Sequence, residues 1–478
     1  MLSAAATGVT SRHSRTCLPL TEQKPPFAEK AMTVKHSQPT LRYTSPKELG
    51  SSKEKKVLLV KRLMALLLLC TLWIAITGYG ALSGWWLTPI AVKGDSAAFL
   101  NAAIAIADKN SHGNVALVLI KNGSVLREHY AVSLAVLDRD TVNRDTLFPM
   151  ASASKWLAAY GVMQLVQAGK IDLDAPVSRY LKRWQLPAGK FDASGVTVRR
   201  LLSHTAGLTD ALGFGDYAPT EVIPSLEASL QQPRASTGSK LIALGRAPGS
   251  AWQYSGGGYL ILQLLVEEVS GMGFAEWMQQ SVFKPLDMQR ASYAYIGDLA
   301  NASKSYDATG KLAPSYKYAS AAATGLSASA ADLIKFVQAH LPNAPSALSP
   351  PNVRAMRQAH GRTLGADIWG LGPMLYAPTG GGDYVFGHDG ANAPAINTAV
   401  RINPDNGDAI IVLGTGNTTL ASLLAYEWTL WQTGSPDFLM LDKVIDSALM
   451  PTLVGLAVIF AMFVLFVVRQ RRRAKTTM

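Results

Sequence analysis

The chain of 478 residues contains two cysteines, and both lie outside the region that carries the candidate functional motifs. Cys17 lies near the amino terminus and Cys70 lies within a long apolar segment. The rest of the chain therefore has no disulfide framework and offers neither a cysteine nucleophile nor a thiolate metal site. The sequence also lacks an H-E-x-x-H motif and a Gly-Lys-Ser or Gly-Lys-Thr phosphate loop. We predict no metal and no cofactor.

The chain has a net charge of +12, but its middle region carries no excess of either sign of charge. Residues 1–62 hold twelve Lys or Arg against four Asp or Glu, and residues 469–478 hold five basic residues and no acidic residue. The region between these flanks is therefore nearly neutral. A nucleic-acid-binding domain carries its basic patch on the folded body, so we do not expect nucleic acid as a partner.

Two segments contain no charged residue at all, residues 63–92 and residues 447–468. Each is longer than the roughly 20 residues that cross a bilayer as a helix. Basic residues precede the first segment and follow the second, so the positive-inside rule places both termini in the cytoplasm. For the first segment a cleaved signal peptide is the alternative, but a leader of 62 residues is too long for the n-region of such a peptide.

The charge pattern divides the chain into five parts. We predict a disordered, basic, cytoplasmic leader (1–62), a transmembrane helix (63–92), a folded domain (93–446), a second transmembrane helix (447–468) and a basic cytoplasmic tail (469–478). The expected location is a bacterial inner membrane, with the folded domain in the periplasm and the membrane itself as a partner.

The folded domain has strand patterns at both of its ends and helical patterns between them. The segment "VALVLIKNGSVLREHYAVS" predicts a hairpin with a type I′ turn at Asn122-Gly123. The segments "INTAVRINP" and "DAIIVLGTG" predict a second strand pair, joined by a turn at residues 404–407. We predict an α+β fold, in which one antiparallel sheet built from both chain ends is flanked by helices and carries a helical subdomain.

The segment "FPMASASKWLAAYGVMQLVQAGK" places two serines before a lysine at the start of a helix. Residues three apart share a helical face, whereas adjacent residues do not. Ser152 can therefore meet Lys155, and Ser154 points away from it. A serine needs a base to become a nucleophile, and a desolvated lysine can serve as that base. A solvated lysine beside a helix-capping Ser152 is the alternative.

Two further segments carry polar groups at strand or helix ends. "PGSAWQYSGGGYL" places Tyr254 on a loop before a helix, and "FGHDGANAP" places His388, Gly390 and Ala391 on a strand. Alone, Tyr254 could be a buried aromatic residue and His388 a hydrogen-bonded loop histidine. The order of a serine-lysine pair, a tyrosine and a strand with His-x-Gly is a specific combination.

These segments resemble the serine β-lactamase and penicillin-binding protein family, on the branch of class C β-lactamases, D-specific peptidases and esterases. The segment "VTVRRLLSHTAGL" is similar to a further motif of that family, in which His204 is expected to be structural. The resemblance covers residues 95–432. It implies a β-lactamase/transpeptidase-like fold and a serine hydrolase.

The resemblance also implies a role for each matching residue. Ser152 would be acylated, Lys155 would accept or relay its proton, and Tyr254 would act as the general-base partner and then protonate the leaving group. The backbone N–H groups of Ser152 and Ala391 would form the oxyanion hole. The residues implied for substrate binding are His388, Gly390, Ser255 and Asn392.

The sequence departs from the family pattern at two positions. Gly256 replaces an asparagine whose amide would contact the lysine and the substrate, a role for which Ser255 and Asn392 are the candidate substitutes. His388 replaces a lysine that would attract a substrate carboxylate, and histidine is mostly neutral at pH 7. Both departures favour an esterase or peptidase over a true β-lactamase.

We therefore predict a membrane-anchored serine hydrolase that forms an acyl-enzyme with an ester or amide outside the cytoplasm. The expected substrate is a small molecule or a peptide, including peptide-derived metabolites and compounds with a D-residue. Two alternatives are an acyl transferase or peptide cyclase on the same scaffold, and a penicillin-binding-like receptor without turnover. The oligomeric state is left open.

Overall fold

A computed structural model describes residues 46–134, 136, 141–210, 216–234, 241–342 and 344–476, with the side chains of 46–52 and 474–476 left out. The chain divides into two units, Met1–Ala65 and Leu66–Met478. All contacts discussed below lie within the second unit.

The described residues form twelve α-helices and fourteen strands. The helices are α1 Pro46–Leu82, α2 Ser96–Asn110, α3 Ser154–Gln167, α4 Val198–Leu202, α5 Leu226–Gln231, α6 Gly256–Ser270, α7 Phe274–Met278, α8 Ala321–Thr324, α9 Ala330–Gln338, α10 Pro350–Met356, α11 Leu420–Thr433 and α12 Leu441–Thr476. The strands are β1 Asn114–Lys121, β2 Ser124–Val132, β3 Phe148–Pro149, β4 Asp216–Tyr217, β5 Ser305–Tyr306, β6 Leu312–Ala313, β7 Lys317–Tyr318, β8 Ser327–Ala328, β9 Gly361–Thr363, β10 Ala366–Trp369, β11 Met374–Pro378, β12 Tyr384–Asn392, β13 Ile396–Asn403 and β14 Asp408–Thr415.

The main sheet has eight antiparallel strands in the order β2-β1-β14-β13-β12-β11-β10-β9. The pairing of β1 with β14 joins the two ends of the folded domain, which confirms the predicted sheet. Asn122 and Gly123 have φ values of 49° and 76°, as a type I′ turn between β1 and β2 requires.

Both faces of the sheet are covered by helices, because side chains alternate along each strand. On β1, Leu117 and Leu119 pack with helices α2 and α11 on one face. Ala116 and Val118 pack on the other face, in the larger core that includes α3, α6 and α9. The candidate nucleophile, just before α3, therefore lies on the same side of the sheet as α6 and α9.

Two helices have the length and apolar composition of membrane spans, Lys53–Leu82 and Phe438–Arg473. Thr77 and Thr452 share a hydrogen bond of 2.8 Å between their hydroxyl groups, and Trp73 Nε1 donates to the Pro451 carbonyl at 3.1 Å. Residues 66–82 of α1 therefore lie beside α12.

The helix boundaries differ from the prediction at both ends of α1. The helix begins at Pro46, so residues 46–62 are not the disordered leader that we predicted, and residues 1–45 lie outside the described residues. It ends at Leu82 rather than at residue 92, because Gly84 adopts a left-handed conformation with φ 78° just beyond it. Helix α12 extends on both sides of the predicted 447–468 span.

A buried charge cluster joins strand β12 to the start of the C-terminal helix. The fully buried Arg401 guanidinium pairs with Asp389, and it lies 3.4 Å from the Asp437 carboxylate and 3.3 Å from the centre of the Tyr376 ring. Asp437 accepts a hydrogen bond from the Leu439 amide at 2.8 Å. Asp389 follows His388 directly, so this cluster fixes the strand that carries a candidate site residue.

Replacing Arg401 with methionine should lower the free energy of unfolding by about 3–5 kcal/mol, because two buried carboxylates would lose their cation. Urea denaturation of the detergent-solubilised protein measures the change. Arg362→Met is the matched control, since the exposed Arg362 pairs with Asp367 at the surface and such a pair contributes only about 0–1 kcal/mol. An equal loss of unfolding free energy in the two variants would contradict a stabilising role of the buried Arg401 cluster.

Candidate active site

Ser152 lies in the short 3-10 turn Ala151–Ala153, which leads directly into helix α3. The Lys155 ammonium lies 3.4 Å from Ser152 Oγ and donates a 2.9 Å hydrogen bond to the Ala323 carbonyl. Ser152 is partly exposed, whereas Lys155 is fully buried. The three-residue spacing therefore brings Lys155 against Ser152, as the sequence predicted.

Ser154 has a different environment, which excludes it as the nucleophile. Its hydroxyl donates to the Ala151 carbonyl at 2.6 Å and accepts from the Leu326 amide at 3.2 Å. The residue is completely buried. Ser154 therefore connects the nucleophile turn to the neighbouring chain and has no access to a substrate.

The charge of Lys155 is set by its burial. Burial lowers the pKa of Lys155 to about 7, and the Asp210 carboxylate opposes this by raising it. Desolvation disfavours the ammonium form, while a nearby negative charge favours it. The lowered pKa makes the neutral amine of Lys155 accessible near pH 7, and a neutral amine can accept the Ser152 proton.

Tyr254 lies at the end of the loop that precedes helix α6. Its ring centre is 4.9 Å from Lys155 Nζ. Burial raises the pKa of Tyr254 well above its ordinary value, and the nearby Ser152 side chain only partly opposes this. Tyr254 is therefore a protonated phenol at neutral pH, which favours proton donation over the general-base role.

Strand β12 lies against the nucleophile turn at Gly390. A Cβ atom at this position would come within 2.2 Å of the Met150 carbonyl oxygen and 3.1 Å of the Ala153 amide nitrogen. Glycine is therefore required for this close approach. Ala391 follows in the same strand, so its backbone lies beside the turn, while the oxyanion role of Ala391 and Ser152 remains a prediction.

His388 is buried on the same strand and is neutral. Its Nδ1 lies 2.6 Å from the Asp389 carbonyl, to which it can only donate, so Nε2 is left as an acceptor. Burial and the positive charge of Lys155 lower the pKa of His388 to about 3. His388 therefore cannot provide a cation for a substrate carboxylate at neutral pH.

The structure corrects the prediction for Ser255. Its hydroxyl caps helix α6 by accepting from the Gly258 amide at 2.8 Å, and it donates to Asp210 at 2.9 Å. The residue is only 4% exposed, so Ser255 does not contact substrate. Asn392 is partly exposed at the end of β12, and its predicted substrate contact stays open.

Three residues that support the site have no assigned catalytic role. The His204 ring lies 4.4 Å from the Tyr254 ring, and its Nδ1 accepts from the Ser255 amide at 3.1 Å. Trp369 lies between 4.7 and 5.6 Å from the rings of His204, Tyr254 and His388. Trp369 was not predicted from the sequence because it lies in no recognised motif. Asp210 was not predicted either, and its only sequence signal is its position two residues after "SHTAGL".

No group of three or more His, Cys, Asp or Glu side chains in the described part of the chain is placed to hold a metal ion. The arrangement of Ser152, Lys155 and Tyr254 is suited instead to nucleophilic attack with proton transfer between neighbouring side chains.

Known proteins match the chain across this site. The sequence profile of the Beta-lactamase family matches residues 100–432. Esterase EstB of Burkholderia gladioli is 31% identical over 206 residues, which are 40% of this chain and 49% of EstB. Penicillin-binding protein 4 of Amycolatopsis lactamdurans is 27% identical over 319 residues, which cover 60% of this chain and 77% of that protein.

A solved structure described as SurE with D-Leu is 27% identical, with a TM-score of 0.53 over 69% of this chain and 72% of SurE. The chain spans about half or less of the length of several curated relatives that it matches, EstB included. The family match itself extends over more than half of the chain and contains all of the candidate site residues. The chain belongs to the Beta-lactamase family, a family of hydrolases with esterase and penicillin-binding relatives.

Proposed function

We propose that the protein is a membrane-anchored serine hydrolase that cleaves an ester or amide through an acyl-enzyme on Ser152. One observation carries the proposal. The buried Lys155, whose pKa is lowered to about 7, lies 3.4 Å from a partly exposed serine hydroxyl. A base with a pKa near the working pH is best suited to accept a proton.

The geometry supports the following sequence of steps. Neutral Lys155 takes the proton of Ser152 as Oγ attacks the substrate carbonyl, and the backbone N–H groups of Ser152 and Ala391 hold the resulting oxyanion. Tyr254 donates its proton to the leaving group and is reprotonated from the Lys155 ammonium. A water molecule then attacks the acyl-enzyme carbonyl, and neutral Lys155 takes a proton from this water. Lys155 passes that proton to Ser152 Oγ as the acyl bond breaks, which releases the acid product and restores the free serine.

The surroundings of the nucleophile favour a substrate that lacks the carboxylate group of a β-lactam antibiotic. His388 is neutral because its pKa is lowered to about 3, and Gly256 has no side chain to bind an acylamide. Among the relatives are an esterase and a protein whose structure is described with D-Leu. We propose a neutral ester, or an amide that contains a D-residue, as the substrate class.

The proposed location follows from the two flanking helices. Helices α1 and α12 contact each other through Thr77 and Thr452, as expected if both cross the same bilayer. Basic residues lie at the outer ends of both apolar segments, so we propose cytoplasmic termini and a folded domain on the far side of a bacterial inner membrane.

A fluorophosphonate probe tests both parts of the proposal. The detergent-solubilised full chain should react with the probe and hydrolyse p-nitrophenyl butyrate, with D-leucine and L-leucine p-nitroanilides compared in the same assay. A membrane-impermeant version should label the protein in intact spheroplasts. A folded protein that neither labels nor turns over substrate contradicts the hydrolase, and labelling only after lysis contradicts the location.

A further inference from the structure

A buried carboxylate beside the site, Asp210, has no role in the steps described above. Asp210 is 2% exposed. Its oxygens accept hydrogen bonds from Ser255 Oγ at 2.9 and 3.0 Å and from the Gly257 amide at 2.5 Å. A Cβ atom on Gly257 would lie 2.8 Å from the carboxyl carbon, so glycine there is what lets Asp210 reach the backbone.

These contacts hold the loop that carries Tyr254. Ser255 follows Tyr254 directly, and it is bound on two sides, since its amide donates to His204 Nδ1 at 3.1 Å and its hydroxyl donates to Asp210. The His204 ring also packs on the Tyr254 ring. The position of the Tyr254 side chain therefore depends on Asp210 through a single residue.

Asp210 also supplies charge to the site. The titratable side chains around Lys155 in the described chain are Tyr254, Tyr259, His204, His388 and Asp210. Burial keeps both tyrosines and both histidines neutral near pH 7, because it raises the pKa of the tyrosines and lowers that of the histidines. Burial raises the pKa of Asp210 only to about 6, so Asp210 is mostly ionised there.

Glycine at position 256 has no side chain that could act on Lys155. Asp210 comes from a different chain segment, two residues after the "SHTAGL" motif, and it acts on Lys155 through its charge, which raises the pKa of that lysine.

We propose that Asp210 is a positioning residue of this site, whose carboxylate holds the Tyr254 loop in place and supplies the buried negative charge that acts on Lys155. This inference rests on the proposed serine hydrolase. It assigns to Asp210 two separable effects, one on the geometry of Tyr254 and one on the protonation of Lys155.

Asp210→Asn separates the two effects. Asparagine keeps the shape and one oxygen acceptor for Ser255 and Gly257 but removes the charge. The pKa of Lys155 then falls, because a negative charge that favoured its ammonium form is gone. The rise of kcat/KM with pH for p-nitrophenyl butyrate should move to lower pH by about one unit, measured on the full chain in detergent.

Asp332→Asn is the matched control. Asp332 is equally buried and caps helix α9 by accepting from the Ser329 amide at 2.9 Å, without contacting Lys155 or Tyr254. Its pH midpoint should equal that of the wild-type protein. A midpoint that stays unmoved in a folded, active Asp210→Asn variant overturns the proposal, whereas an inactive wild-type protein overturns the hydrolase itself.

Ser255→Ala tests the positioning role of Asp210 if the Asp210→Asn variant does not fold. This variant keeps the carboxyl group of Asp210 and removes one of its contacts to the loop. We expect kcat to fall at least threefold with KM nearly unchanged, since Tyr254 is displaced. An unchanged kcat would overturn the positioning role.

Discussion

Replacement of Ser152 by alanine is expected to abolish labelling by a fluorophosphonate probe and to lower kcat for p-nitrophenyl butyrate by about 10⁴–10⁶-fold. The physical reason is that no other group in the described site can form the acyl bond, and removing the nucleophile of a triad in a serine hydrolase costs about this much. In-gel fluorescence and steady-state kinetics of the full chain measure both effects.

Ser154→Ala is the control for this prediction, because Ser154 lies two residues away on the same segment. It should keep its labelling while losing about 1–3 kcal/mol of stability, since the buried Leu326 amide would lose its acceptor. If Ser154→Ala lost its labelling and Ser152→Ala kept it, the nucleophile would be Ser154 and the assignment to Ser152 would be wrong.

Replacement of Lys155 by methionine is expected to lower kcat/KM by about 10²–10⁴-fold, the usual contribution of a positioned base. Methionine fills much of the same buried space without the amine. In the wild-type protein, kcat/KM should rise with pH and level off above about 7, because the Lys155 ammonium with its pKa near 7 cannot accept a proton. The variant should lose this rise.

Lys335→Met serves as the control, since Lys335 is half-exposed on helix α9 and pairs with Asp287 at 3.6 Å. Its pH profile and kcat/KM should match those of the wild-type protein. If Lys155→Met kept both its activity and the rise near pH 7, Lys155 would not be the base, and another group would have to accept the Ser152 proton.

The electrostatics of the site distinguish the two proton carriers. Burial lowers the pKa of Lys155 and raises that of Tyr254, because the same desolvation favours the neutral form of each. A neutral amine and a neutral phenol form a base and an acid, respectively, in adjacent positions. The family resemblance implied both roles for Tyr254, whereas the environment favours donation.

Some of the fold and site could be predicted because the physics is local. The apolar run of β1, the Asn122-Gly123 turn and the helical spacing of Ser152 and Lys155 each depend on neighbours only a few residues apart. The end of α1 at Leu82 could not be predicted from hydropathy, because residues 83–92 are as free of charge as residues 63–82 of the helix.

By itself, the sequence determined the antiparallel sheet from both chain ends, the two apolar spans, the family and the choice of Ser152 over Ser154. The sheet, the spans and the choice of Ser152 follow from periodicity, composition or spacing, whereas the family follows from a resemblance of motifs. The tertiary structure alone decided that Ser255 caps a helix, that Asp210 reaches the Tyr254 loop, and that burial lowers the pKa of Lys155 to about 7. These depend on groups brought together from distant parts of the chain, where desolvation and long-range hydrogen bonds set the chemistry.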